Sequence, residues 1–206
     1  MKKIKVLNLY AGIGGNREDW DNSLIEVTAV EINEKIANKY KKLFPEDNVI
    51  IADAHEYLLK NYKEYDFIWS SPPCVTHSRI NLSYKNNPKN KARFPDMKLW
   101  QEIIFLQHFC KCKWVVENVI PYYDIIFNPK IIGRHCFWSN FHIPAIEQKK
   151  GQYGSVNGKY KKNWSGKRKI TQRNKVDSKL GKHIFDCAYG LEANPLKKYM
   201  NVEPIN

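Results

Sequence analysis

Short apolar runs alternate with helical patterns along the first part of the chain. Residues 34–43 place Ile36, Ala37, Tyr40 and Leu43 on one helical face. The apolar runs are residues 4–10, 25–30, 48–51, 66–69 and 114–116, and further helical patterns cover 57–59 and 96–110. Strands that alternate with helices predict an α/β fold with a doubly wound, mostly parallel sheet.

Polar or glycine residues follow the apolar runs where each predicted strand ends. They are Gly12, Glu31, Asp53, Cys74 and Glu117. Parallel sheets of this kind bind ligands beyond the carboxyl ends of their strands. The sequence therefore predicts one crevice that brings these five residues together.

The first of these sites is a glycine-rich turn, Tyr10–Gly15, that permits a ligand to approach the backbone. Its glycine spacing differs from that of a pyrophosphate-binding turn, and no Lys-Ser or Lys-Thr of a P-loop follows it. A carboxylate at Glu31 can accept ribose hydroxyls, and Asp53 can accept an adenine amino group. An adenosyl ligand without phosphates fits this set best; the alternative for each acid is a solvated residue at a strand end.

Cys74 follows Pro72 and Pro73, which fix the backbone and remove two N–H donors. The next predicted strand ends in Glu117 and Asn118, although its core is apolar. A thiol and a carboxyl group in one pocket can act as a nucleophile and a proton-handling group. The alternative is an inert thiol at the end of a strand.

The chain has 206 residues and a formal net charge of +13, enough for one sizeable domain with a small appendage. Such an excess predicts a polyanionic partner, nucleic acid before membrane, unless it reflects a lysine-rich organism with an AT-rich genome. Two stretches carry much of it: residues 79–95, and residues 148–176, which contain ten Lys or Arg and no acid.

Five cysteines occur without a Cys-x-x-Cys pair, so no metal site is expected. Apolar runs of membrane-spanning length and a signal-peptide pattern are both missing from the sequence. We therefore expect a cytoplasmic protein with reduced thiols, independent of membranes.

These motifs together resemble those of the DNA cytosine-C5 methyltransferases that use S-adenosylmethionine. The first family motif is matched by Asn8–Gly15, with Asn8 in place of the acid and Tyr10 in place of the usual aromatic residue. Pro72–Cys74 matches the nucleophile motif, with Ser78 where a serine is usual, and Glu117–Val119 matches the Glu-Asn-Val motif. The resemblance covers about residues 4–142 in the family's order and implies a Rossmann-like class I methyltransferase fold.

The resemblance also implies the roles of individual residues. Cys74, as thiolate, adds to C6 of cytosine; Glu117, in which burial favours the protonated form, gives or shares a proton at N3; and C5 takes the methyl group. Asn118 holds the loop that bears Cys74, and Arg134 contacts the base or orients Glu117. The implied S-adenosylmethionine site consists of Tyr10, Ala11, Gly12, Gly14, Gly15, Glu31, Ile32, Asp53, Ala54, Pro72 and Leu99.

The chain departs from the family pattern in its later part. The arginine motif appears only as Gly133–Trp138, where His135 or Cys136 replaces one arginine, and the closing Gly-Asn motif is not evident. We divide the chain into a catalytic and cofactor-binding domain over 1–143, a short basic recognition region over 144–176 and a C-terminal segment over 177–206 that packs back on the first. The pattern indicates a minimal family member from a bacterium or a phage.

Double-stranded DNA is the expected partner, and the target cytosine must be flipped out of the helix. Residues 79–95 are expected to close over the phosphates as a mobile lid. The predicted nucleic-acid contacts are Ser78, Arg79, Lys85, Lys89, Lys91, Arg93, Lys159, Lys161, Lys167, Arg168 and Arg173. We further expect a monomer that works beside a restriction endonuclease. Two alternatives remain open: a cytosine in RNA, such as a tRNA loop, or a nucleic-acid-binding relative that has lost turnover.

Overall fold

A computed structural model describes residues 2–86, 92–145 and 176–191, and side chains at all of these except 83–86. Seven strands form one sheet in the order β3-β2-β1-β4-β5-β7-β6. The strands are β1 (Ile4–Leu9), β2 (Ile25–Val30), β3 (Asn48–Ile50), β4 (Phe67–Ser70), β5 (Lys113–Val119), β6 (Lys130–Ile132) and β7 (His135–Ser139). The α-helices are α1 (Glu34–Leu43), α2 (Ala54–Asn61), α3 (Lys98–Phe109) and α4 (Ser178–Tyr189).

Strands β1 to β5 are parallel to one another, and β7 is antiparallel to both β5 and β6. The predicted doubly wound, mostly parallel sheet and its Rossmann-like class are confirmed. Every polar residue that the sequence places after a parallel strand lies at the same edge of this sheet, because parallel strands end on one side. The sequence pattern did not predict β7, which pairs with β5, or β6, which forms the edge of the sheet beyond it.

The connection from β1 to β2 consists of turns, and α4 from the later part of the chain packs beside it. Trp20, in this connection, donates its indole N–H to the Gly181 carbonyl at 3.1 Å and stacks near Phe185 at 5.2 Å between ring centres. A Cβ at Gly181 would collide with the backbone of Asn16. Helix α4 therefore supports the glycine-rich turn from behind, and only glycine permits so close an approach.

Two apolar clusters cover the opposite faces of the sheet. One contains Trp20, Phe67 and α4, and the other contains Trp100 and Trp138. No helix within residues 2–86, 92–145 and 176–191 is long and apolar enough to cross a membrane. The division into domains stays a prediction, because residues 146–175 and 192–206 lie outside the described residues.

Candidate active site

A cavity of about 560 Å³ lies at the carboxyl ends of the parallel strands. Its walls include all five residues that follow the predicted strands, namely Gly12, Glu31, Asp53, Cys74 and Glu117. We call the wall formed by residues 10–16, 31–36 and 53–54 the cofactor side. The wall formed by Cys74, Glu117, Arg134 and His135 is the base side.

The glycine-rich turn forms one end of the cofactor side. Tyr10 has a φ of 54°, a left-handed value that non-glycine residues rarely adopt, and Gly12 follows with a φ of 56°. Tyr10, Ala11, Gly12 and Gly15 line the cavity. Gly14, with a φ of 76°, instead packs against the side chains of Tyr40 and Phe44. Its role in the structure is close packing of the turn on α1.

Glu31 is fixed by backbone N–H groups on both carboxylate oxygens. Gly12 donates to Oε2 at 3.0 Å, and Asn33 donates to Oε1 at 2.9 Å. Glu31 is half-buried and lines the cavity. The carboxylate is therefore held in one orientation. A group that accepts hydrogen bonds from two ribose hydroxyls needs such a fixed orientation.

Asp53 is the N-cap of α2 and accepts from the backbone N–H groups of His55 and Glu56 at 2.9 and 3.2 Å. Its second oxygen lies 3.3 Å from the Lys98 ammonium. Burial acts to raise the pKa of Asp53, but the N–H groups and Lys98 outweigh it, and the net shift is downward. Asp53 is thus a carboxylate that can accept a hydrogen bond from an amino group.

The remaining cofactor residues expected from the sequence divide into two groups. Ile32, 66% exposed, lines the cavity together with Ala54 and Pro72. Leu99 is buried in the core behind the cavity and does not line it. Lys98, one residue before it, does line the cavity, and so does Asp96. Sequence reasoning missed both, because neither belongs to a motif.

A buried carboxylate under the cofactor side was also missed. Three side chains meet the carboxylate of Glu102: the Tyr10 hydroxyl and the Ser70 hydroxyl each donate at 2.6 Å, and His55 Nδ1 lies 3.0 Å away. The contact with Glu102 raises the pKa of His55. A glutamate on the apolar face of α3 was the available signal for this network.

On the base side, Cys74 begins a short 3-10 helix, Cys74–Thr76, directly after Pro73. The Asn118 amide donates to the Pro72 carbonyl at 2.9 Å, and its oxygen accepts from the Val119 N–H. Asn118 is 1% exposed. This buried contact ties the end of β5 to the loop that carries the thiol.

The Cys74 thiol is half-buried and faces Glu117 and Arg134. Burial raises the pKa of Cys74, and the nearby Glu117 carboxyl group raises it further, while the Arg134 charge lowers it. The net shift is upward, so the thiol is mainly protonated at neutral pH. Cys136, buried beside Glu117, also has a raised pKa, about 12.

Glu117 is 7% exposed and shares a hydrogen bond with the ring of His135, whose Nδ1 lies 2.7 Å from Oε1. His135 is likewise buried and lines the cavity. Sequence reasoning gave His135 no role in the reaction, and the available signal was its position inside the incomplete arginine motif. Arg134, which was expected from the sequence to contact the base or orient Glu117, is exposed and also lines the cavity.

Of the predicted nucleic-acid contacts, Ser78 lines the cavity, whereas Arg79 and Arg93 are exposed and do not line it. Residues 79–86 form a 3-10 helix, and the side chain of Lys85 is not among those described. The others lie outside the described residues: Lys89, Lys91, Lys159, Lys161, Lys167, Arg168 and Arg173. The described ranges hold no cluster of three metal-binding side chains.

The cofactor side fits S-adenosylmethionine. Gly12 has open space where a side chain would stand, and fixed carboxylates at Glu31 and Asp53 suit the ribose and the adenine. The turn offers no lysine of the phosphate-binding kind, in keeping with a ligand that carries no phosphate.

Comparison with known proteins gives relatives with a common activity in their names. The tRNA (cytosine(38)-C(5))-methyltransferase of Spodoptera frugiperda is 36% identical over 95 residues, which cover 43% of this chain and 28% of that protein. The human protein of the same name is 31% identical over 85 residues, covering 39% of this chain and 22% of the relative. The chain thus spans less than a third of the length of these relatives.

Solved structures with a related fold include an Agrobacterium tumefaciens SAM-dependent methyltransferase, with 17% identity and a TM-score of 0.42 over 62% of this chain and 41% of that one. A mutant of Spodoptera frugiperda DNMT2 has 27% identity and a TM-score of 0.38, covering 57% and 36%. The family profile described as C-5 cytosine-specific DNA methylase matches residues 4–121, more than half of the chain. The chain belongs to this C-5 cytosine-specific methylase family.

Proposed function

We propose that the protein methylates C5 of cytosine in DNA, with S-adenosylmethionine as the methyl donor. One observation carries the proposal: Cys74 and Glu117 line the same cavity as Glu31 and Asp53. Alkylation at C5 needs a nucleophile for C6 and a proton for N3 beside a bound methyl donor. The cavity brings these groups within reach of one substrate.

In the proposed reaction, the Cys74 thiol gives its proton to water, and the thiolate sulfur forms a bond to C6. The C5–C6 π bond breaks as a C4–C5 π bond forms, the C4–N3 π electrons move to N3, and N3 takes the proton of the Glu117 carboxyl group. Bound S-adenosylmethionine supplies the methyl group that C5 takes. A base then removes the C5 hydrogen, the Cys74–C6 bond breaks and the N3 proton returns.

The two charged neighbours of Cys74 act in opposite directions. Arg134 favours the thiolate, while Glu117 disfavours it as long as it is ionised. Protonation of Glu117 would therefore help both steps, since it supplies the N3 proton and removes the negative charge beside the sulfur. Asn118 contributes by fixing the loop that bears the nucleophile.

DNA as substrate is supported by the family profile and by the net charge of +13. A positive surface binds the phosphate backbone without regard to sequence. Exposed Arg79 and Arg93 lie next to the loop that follows Cys74, where the backbone on either side of a flipped base would pass.

A cytosine in tRNA is the second candidate substrate. The two relatives from Spodoptera frugiperda and human carry the name tRNA (cytosine(38)-C(5))-methyltransferase, and they are 36% and 31% identical to this chain over the matched residues. Net positive charge suits either nucleic acid, so the choice between them requires a direct comparison.

The test is incubation of the full chain with tritiated S-adenosylmethionine and either mixed-sequence duplex DNA or a tRNA pool. Cys74→Ala serves as the inactive variant, and Cys187→Ala, on α4, is the matched cysteine control. Label in 5-methylcytosine of DNA, lost only with Cys74→Ala, supports the proposal. Label confined to tRNA supports the second candidate. Cofactor binding without label in either nucleic acid contradicts both and indicates a binding protein without turnover.

A further inference from the structure

The contact between Glu117 and His135 follows from the sheet itself. Strands β5 and β7 are antiparallel, with Glu117 opposite Phe137 and Val119 opposite His135. Glu117 and His135 are therefore diagonal neighbours on one face of the sheet, close enough for long side chains to meet. Because strand pairing sets their positions, the carboxyl group is held by a rigid element and not by a loop.

The contact gives the two carboxyl oxygens of Glu117 different surroundings. Oε1 lies 2.7 Å from Nδ1 of His135, a short hydrogen bond between two buried side chains. Glu117 also lines the cavity, so Oε2 is the oxygen left for a base that enters it. A carboxyl group that must give a proton to N3 needs this kind of fixed orientation.

Histidine differs from arginine in this position by its charge. A guanidinium is always ionised, and its positive charge would favour the carboxylate form of Glu117. A neutral imidazole can donate a hydrogen bond to Oε1 without adding a charge. A hydrogen bond from Nδ1 to Oε1 leaves Oε2 as the oxygen from which N3 can receive a proton.

We propose that His135 is a positioning residue that donates its Nδ1 proton to Oε1 of Glu117 and thereby directs the protonated Oε2 toward N3 of cytosine. This role rests on the proposed cytosine methylation. In the proton transfer, the Oε2–H bond breaks and the N3–H bond forms. His135 keeps its own proton throughout and stabilises the carboxylate that results.

Three substitutions separate this role from simple packing. His135→Asn keeps an N–H donor close to the position of Nδ1. His135→Gln places its donor farther from the backbone, and His135→Leu removes the donor while keeping the bulk. His108→Leu, an exposed histidine at the far end of α3, is the matched control.

We expect the transfer rate at saturating cofactor and substrate to fall about 100-fold in His135→Leu, the scale of lost proton-transfer assistance. His135→Asn should recover most of this loss, His135→Gln should not, and cofactor affinity should stay within about twofold in all three. Equal losses in Asn and Gln, or an unchanged rate in Leu, would overturn the proposal. If the Leu variant does not fold, the contrast between Asn and Gln decides.

A second readout does not depend on turnover. Long-range proton–nitrogen NMR of the protein with labelled histidine reports which ring nitrogen of His135 carries the proton. The neutral Nδ1–H form supports the proposal; the Nε2–H form or an imidazolium contradicts it. Absence of methyl transfer in the unaltered protein would refute the proposed function, whereas this NMR result would still test the contact.

Discussion

The carboxylates on the cofactor side are held by backbone N–H groups, whereas groups on the base side depend on side chains from distant segments. Glu31 and Asp53 each accept two backbone hydrogen bonds, mostly from residues two or three positions along the chain. On the base side, Asn118 reaches Pro72 and Glu117 meets His135.

This difference has a functional meaning. Three of these four hydrogen bonds lie within a turn or a helix cap, and none of the four requires the register of β5 with β7. The base side is correct only when β4, β5 and β7 have assembled in register. Binding of cofactor and rate of transfer should therefore respond to different substitutions, and each prediction below tests that separation.

The largest effect is expected from Cys74→Ser. A hydroxyl is a far weaker nucleophile than a thiol, so we expect the transfer rate to fall by at least about 10⁴-fold. Cofactor affinity, measured by calorimetry, should stay within about twofold, because Cys74 lies on the other wall. A comparable loss of affinity would show that the two sides are not independent.

Asp47→Asn tests how the cofactor side is anchored. Buried Asp47 accepts from Arg17 at 2.8 and 2.9 Å and from the Tyr40 hydroxyl at 2.7 Å, directly behind the glycine-rich turn. Loss of the carboxylate leaves the Arg17 charge buried, and we expect unfolding free energy to fall by about 3–5 kcal/mol. Urea unfolding measures this.

The control for that experiment is Asp21→Asn, an exposed acid in the same connection. It should leave the midpoint of urea unfolding essentially unchanged, as expected for a surface substitution. Equal effects of the two substitutions would mean that general charge, and not the buried pair, stabilises this region.

Glu31→Ala tests the ribose contact. The substitution removes a charged acceptor, so the dissociation constant for cofactor should rise about 10- to 100-fold, the range for hydrogen bonds to charged groups. Glu31→Gln should lie between this variant and the unaltered protein. The transfer rate at saturating cofactor should change little; a large fall in that rate with unchanged affinity would contradict the assignment.

The same contrast explains what the sequence could predict. Strands β1 to β5 were recognisable because each contains a short apolar run, and Glu31 and Asp53 because they follow such runs. Strands β6 and β7 are short antiparallel strands after an irregular segment, and no periodic pattern marks them.

Side-chain pairing was harder to foresee than position. Contact of His135 with Glu117 depends on the register between β5 and β7, which spacing in the sequence does not reveal. Glu102 is acidic on a buried helix face, and its partners Tyr10, His55 and Ser70 come from three other segments. Lys98 lines the cavity and its neighbour Leu99 does not, because consecutive residues in a helix face different directions.

The smallest expected effects concern the pKa of Cys74, and they differ in sign. The thiolate is the form that reacts with iodoacetamide, so the alkylation rate should rise with pH, in a range above that of an exposed cysteine, because burial raises this pKa. Glu117→Gln removes a negative charge and should move the rising part of the profile to lower pH. Arg134→Gln removes a positive charge and should move it to higher pH.

Peptide mass spectrometry can follow Cys74 separately from the other cysteines, and Arg93→Gln is the matched control for the loss of an exposed arginine. Burial is the largest cause of the raised pKa and persists in both variants, so neither profile should reach that of an exposed cysteine. Shifts of equal sign would mean that the substitutions act by opening the cavity and not through charge. Opposite shifts would establish that Glu117 and Arg134, which line the base side, control the pKa of the Cys74 thiol through their charges. No group on the cofactor side has this effect on a nucleophile.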